Sequence, residues 1–282
     1  MNSEIATLAT LGTLFRTAWD QYKQRALPLL AVLLISAVVI GSLLMALVLC
    51  ATIGGAMLTH FTDKRTATYL VIALVCVLLL MAFVLFIWSY TTLVAIVLNE
   101  DLGIIEAFQT GWKYLWPMAW VLTLAPAIVL TGFALGVVPG ILFAVWFSFC
   151  GYILLEEDHR GMDALLASME YVRGHWWNTF GKLLVLWLIS AAVSLIPFIG
   201  QVFSLLLNPF FMLFMLAMYR DLKAVHGVAA VDAGPGSRIF WWTMAGIGLA
   251  LPLAALAAIL FSLLTGEQEW LHLPASMHNR WL

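Results

Sequence analysis

Polar and charged positions in this chain gather into a few short clusters. Between them lie apolar runs with neither the two-residue alternation of a strand nor the single stripe of a surface helix. Seven runs are bounded by charges or by proline and glycine: Leu27–Leu58, Ala67–Leu98, Pro117–Val138, Gly140–Leu155, Trp177–Ile196, Gln201–Tyr219 and Ile239–Leu264. A helix needs about 20 residues, rising roughly 1.5 Å each, to cross a hydrocarbon layer of about 30 Å. The runs therefore predict membrane spans, of which the first two are long enough to tilt or protrude. Two linkers, Val138-Pro139-Gly140 and Pro197-Phe198-Ile199-Gly200, are short and uncharged and predict tight helical hairpins. If the hairpins over 117–155 and 177–219 are re-entrant the count falls, so the expected fold is all-α, a polytopic transmembrane helical bundle of about 6–7 spans.

The polar clusters repeat. At a constant offset of 57, Leu98–Tyr114 lies on Leu155–Tyr171, pairing Glu100 with Glu157, Asp101 with Asp158, Ala107 with Ala164 and Tyr114 with Tyr171. Phe15-Arg16-Thr17-Ala18-Trp19 reads like Phe108-Gln109-Thr110-Gly111-Trp112 without the acidic lead. Three units are expected, each a cytoplasmic amphipathic helix followed by a helical hairpin. The first covers 1–98 (leader helix 5–26, spans 27–58 and 67–98), and the second covers 99–155 (leader 102–116, spans 117–138 and 140–155). The third covers 156–224 (leader 161–176, spans 177–196 and 201–219), before a linker at 225–238, an extra span at 239–264 and a tail at 265–282.

Within the first leader, Leu11, Leu14, Phe15, Ala18, Trp19 and Tyr22 fall on one helical face, with Thr13, Arg16, Asp20 and Lys23 opposite. Ile104, Phe108, Gly111, Trp112 and Leu115 repeat that stripe in the second leader, and Met162, Leu165, Leu166 and Met169 in the third. Such helices beside spans should lie at headgroup level with their aromatic rings in the interface. Trp19, Trp112, Trp116, Trp176 and Trp177 are the candidate lipid or partner contacts. Each leader also sets a small residue before a large one, in Ala18-Trp19, Gly111-Trp112 and Ser168-Met169.

Composition fits a bilayer as solvent: 64% of the 282 residues are hydrophobic and 10% charged, against roughly 45–50% and 25% in a soluble domain. Lysine and arginine then orient the chain, because positive loops are retained in the cytoplasm. Arg16, Lys23, Arg25, Lys113, Arg160, Arg173, Lys182, Arg220, Lys223 and Arg238 fall on one side, and Lys64, Arg65 and Arg280 on the other. The N-terminus is therefore expected in the cytoplasm, with Asp63 external and Asp232 cytoplasmic. With a net charge of −2 and no basic face, nucleic acid is not an expected partner. The opening residues lack the basic and apolar regions of a cleavable signal peptide.

Chemistry is sparse. HExxH, GxSxG and GxxxxGK[ST] are all missing. Cys50, Cys76 and Cys150 lie inside apolar runs without metal or disulfide spacing. Glu100-Asp101 and Glu156-Glu157-Asp158-His159 precede leader helices, where carboxylates complement the positive helix end; a divalent cation is the alternative. His272 and His278 in the tail read as exposed side chains. No catalytic residue, cofactor or metal is expected. Inside the spans Asn208-Pro209, Pro126 and Pro252 break the apolar pattern; Pro209 frees a carbonyl near Leu205, and Asn208 is a candidate solute or lipid contact. Lys182 is expected to snorkel to the headgroups. Gly132 and Gly136 form GxxxG, and Gly246, Ala250, Ala254 and Ala258 recur every four positions as a packing seam. That seam packs inside the monomer or, alternatively, joins a homo-oligomer.

The stretch Pro139–Leu186, with Pro139-Gly140, Glu157, Gly161, Ala164-Leu165, Ser168, Gly174 and Trp176, resembles the membrane domain attached to some bacterial glycerophosphodiester phosphodiesterases and related stand-alone inner-membrane proteins of uncertain function. The resemblance extends over residues 8–224 when the repeats are included, and it implies a bacterial inner-membrane location. It does not imply hydrolysis, because the phosphodiesterase barrel, a fold of some 200 or more residues, is missing. Two function classes follow: binding or transport of lipid or another amphiphile, and a structural or assembly subunit organising other membrane proteins. A lipid-sized cavity with a polar lining near Asn208 would separate them.

Overall fold

The computed structural model describes residues 8–54, 63–196, 199–227 and 234–269. Asp232, His272, His278 and Arg280 lie outside the described residues, as do Pro197 and Phe198 of the second linker. The described chain is helical, without a strand. Among the described residues, seven helical stretches are long and apolar enough to cross a membrane: Leu11–Leu49, Tyr69–Leu98, Leu115–Leu135, Val137–Glu157, Trp176–Ser194, Phe203–His226 and Gly236–Ala258. This architecture is that of a multi-pass integral membrane protein.

The first helix, α1 (Leu11–Leu49), starts at Thr10, whose hydroxyl accepts the Thr13 N–H, and runs unbroken past Pro28. The expected division between a leader at 5–26 and a span at 27–58 is therefore not seen. Proline deletes one backbone bond at a cost of about 3 kcal/mol, and the apolar residues on both sides keep their helical bonds. A π-helical turn at Cys50–Gly54 ends this helix, and α2 (Lys64–Leu98) is capped by Asp63 through the Thr66 N–H and hydroxyl. The other end of α2 receives cations: Arg25 donates to the carbonyls of Ile96 (2.8 Å) and Asn99 (2.7 Å), and Arg220 to that of Leu98 (3.1 Å). Positive charge on the orphan carbonyls of a helix C-terminus is favourable.

Short helix α3 (Ile104–Lys113) begins where Glu106 accepts the Gly103 N–H, and it lies against α2. Trp88 Nε1 donates to Phe108 O at 3.1 Å. Next come α4 (Leu115–Leu135), α5 (Val137–Trp146) and α6 (Cys150–Glu157). The first hairpin turns at Gly136 (φ +151°), not at Val138–Gly140. Only glycine adopts that backbone readily, whereas Pro139 fits the first turn of α5, where N–H groups have no helical partner anyway. Gly132 makes the close approach that the GxxxG spacing implied, but toward Gly140: a β-carbon on Gly132 would lie 3.0 Å from Gly140 Cα. The fourth span is interrupted at Phe147–Phe149, and Ser168 bridges the gap by donating to Trp146 O (2.6 Å) and accepting from Phe149 N (3.2 Å).

Helix α7 (Met162–Val172) departs from the expected interfacial leader. Met162, Ala164–Ser168, Tyr171 and Val172 are all buried, so it is a core helix, while α3 leaves Ile105 and Trp112 exposed. The chain continues through α8 (Trp176–Ser194) and α9 (Ile199–His226) to α10 (Pro235–Glu269). Gly200 lets α9 close against the Val193 carbonyl of α8. Two compact units result: one comprises the chain up to Thr123 with Val145 to the end of α9, the other Leu124–Ala144 with α10. In the first, α1 packs between α2 and α9. In the second, Thr131 Oγ1 donates to Met244 O at 2.8 Å, Gly248 abuts the Ala127 carbonyl, and Phe143 meets Trp241 edge to face.

Candidate functional site: the groove at Asn208

The sequence-derived candidates are spread over the molecule. Trp19 is half exposed and lies over Tyr22 and Phe210; Trp112 is exposed and edge-on to Trp88. Trp116 lies on the rim of an apolar cavity of about 440 Å³ between α2 and the first turns of α4, with Phe83, Ile87 and Trp120. Trp176 stacks on Phe180 and keeps its Nε1 buried without an acceptor, whereas Trp177 is exposed. Gly246, Ala250, Ala254 and Ala258 all lie on the exposed face of α10; the close contact inside that unit uses Trp241, Ala245 and Gly248 instead. The small residues of the three leaders, Ala18, Gly111 and Ser168, are buried.

Asn208 lines a groove of about 470 Å³ whose walls come from α1, α2, α6, α9 and the turn before α6. Ligand pockets usually measure about 300–1,000 Å³. The walls are largely apolar, with Leu33, Ile40, Phe86, Leu93, Phe211 and Met215, and the polar side chains Ser36, Ser89, Tyr90, Ser148, Tyr152 and Asn208 are set among them. Pro209 is buried within α9, and one residue beyond the carbonyl it frees, Leu206 O accepts the Tyr22 hydroxyl at 3.0 Å. The lining thus offers apolar contact surface beside hydrogen-bonding side chains. Polar side chains are otherwise costly at membrane depth, so their convergence on one cavity is informative.

Below the groove lies a polar hub that sequence reasoning missed. Tyr152 donates to Met212 O (3.0 Å) and stacks on Tyr219, and Tyr219 donates to Glu157 Oε1 at 2.6 Å. The same oxygen accepts from Tyr171 (2.7 Å) and lies 2.9 Å from Lys223 Nζ, which also reaches Glu156 at 3.0 Å. Glu157 therefore ties α6, α7 and α9 together and does not cap the helix that follows it. His159 lies 3.6 Å from its other oxygen. Tyrosines at 152, 171 and 219 inside apolar helices were the available signal, because a buried phenol needs a partner. Lys182, expected at the headgroups, is buried 3.6 Å from Asp221. Searches against protein-family models, curated proteins and solved structures give no match to this chain.

Proposed function

We propose that this protein binds a lipid or another amphiphile in the groove at Asn208, as a membrane-embedded carrier or binding protein rather than a catalyst. The observation that carries this reading is the groove itself: an open space of about 470 Å³ with mixed lining, set between three membrane-length helices and containing the one intramembrane asparagine singled out by sequence. Kinship with the membrane domains beside glycerophosphodiester phosphodiesterases belongs to the same proposal, as does a bacterial inner-membrane location with a cytoplasmic N-terminus. The repeat within the proposed three-unit architecture is supported for two units by recurrence of a span, an acidic turn and a short helix in α2–α3 and again in α5–α7, each short helix with a buried small residue at the same register.

Native mass spectrometry of the protein released from its membrane in mild detergent tests the function. The wild type should retain an amphiphile; Asn208→Leu, which removes the polar partner, and Ala37→Phe, which fills the groove, should each reduce its occupancy about tenfold. Wild-type protein without any bound amphiphile would favour the structural or assembly role instead. Equal occupancy in both variants would place the ligand elsewhere.

A further inference from the structure

Several hydroxyl side chains in this protein's apolar helices bond back to their own helix, among them Thr91 to Ile87 O, Thr92 to Trp88 O, Thr123 to Ala119 O and Ser194 to Ser190 O, all at 2.7–2.8 Å, whereas Ser36 and Ser204 have no partner for their buried Oγ. Ser36 is 7% exposed. An unmatched buried hydroxyl costs free energy, and such groups in native structures call for an explanation. The position of Ser36 offers one. Ser36, Ile40 and Ser89 line both the Asn208 groove and a second cavity of about 190 Å³, so the two spaces share a wall. The second cavity is apolar in character, with Val39, Trp88 and Phe108 on its other sides.

Polar groups are thus available on one side of Ser36 and hydrocarbon surface on the other. A ligand fitting both sides changes from polar to apolar at that point and carries a hydrogen-bond acceptor there. The ester carbonyl of an acylglycerol lipid has that chemistry. We propose that Ser36 donates to the ester carbonyl of an acyl lipid whose polar end lies toward Asn208 and whose acyl chain continues into the second cavity. Rotation about χ1, between staggered positions, turns the hydroxyl toward either space. The inference rests on the amphiphile reading of the groove and adds to it the ligand class and the residue that selects it.

The test is competition in mixed micelles between diacyl phosphatidylglycerol and its diether analogue of equal chain length, which keeps the headgroup and chains but has no carbonyl. Lipid retained by the protein is read by native mass spectrometry. The wild type should favour the ester lipid roughly two- to tenfold, the range of one net hydrogen bond. Ser36→Ala should bring the ratio to one without lowering thermal stability, because it deletes a hydroxyl that has no partner in the protein. A wild-type ratio of one, or a preference that survives in Ser36→Ala, overturns the assignment while leaving the amphiphile reading intact. Retention of neither lipid overturns the assignment, and the amphiphile reading falls with it only if the wild type also leaves its membrane without any bound amphiphile.

Discussion

A single missing β-carbon decides how closely α3 lies on α2. A methyl group on Gly111 would collide with Thr92 Oγ1 and come 3.2 Å from Trp88 Cδ1. Thr92 cannot simply turn aside, because its hydroxyl is held by Trp88 O at 2.8 Å. Gly111→Ala should therefore destabilise the protein by about 1–3 kcal/mol through overpacking. Gly12→Ala in α1 meets nothing within 4 Å, and should be neutral or stabilising by up to about 1 kcal/mol through helix propensity. Thermal unfolding in one detergent compares them; similar shifts for the two variants would contradict the packing argument. The small residue before a large one at Gly111-Trp112 is visible in the sequence. Its collision partners, 19 and 23 positions upstream on another helix, are not.

Between elements, contacts distant in sequence replace expectations based on local pattern. Lys182 reads as a snorkelling lysine from its own segment alone, yet α9 brings Asp221 to 3.6 Å, and both Asp221 oxygens also accept the Ala9 N–H (3.1 and 2.9 Å). Removing one partner of a buried pair leaves an uncompensated charge, so Asp221→Ala should cost about 3–5 kcal/mol. The double variant Lys182→Met, Asp221→Leu should recover most of that loss. A double variant no more stable than Asp221→Ala would show that the ion pair itself is not what ties the elements together. The same limit explains which element boundaries were legible. Blocks of about twenty apolar residues locate the spans because bilayer thickness imposes that length. Proline is a poorer guide: Pro28 and Pro209 sit within continuous helices, whereas the break at Phe147–Phe149 carries no proline or glycine and depends on Ser168 from α7 to bond its free backbone groups.

For the molecule as a whole, orientation is the property on which any transport reading depends, and α2 provides the means to test it. Its 35 residues, at roughly 1.5 Å each, reach about 52 Å, more than a hydrocarbon core of about 30 Å, so Asp63 and the turn at Asp101 should emerge on opposite sides. The basic residues point to which side is which. Arg25 and Arg220, assigned to the cytoplasm from sequence, both converge on the Leu98–Asn99 end of α2, and Lys223 joins the Glu157 cluster at the corresponding end of α6. Cations held at one end of the bundle are what retention of positive loops requires. In a background freed of Cys50, Cys76 and Cys150, Asp63→Cys should react with an impermeant maleimide added to intact cells, and Asp101→Cys only after the membrane is opened. The reverse pattern would invert the protein and put the Glu157 cluster outside. Labelling of both from one side would deny that α2 crosses, and the Asn208 groove, walled in part by α2, would then have to be reached from an aqueous face rather than from the bilayer.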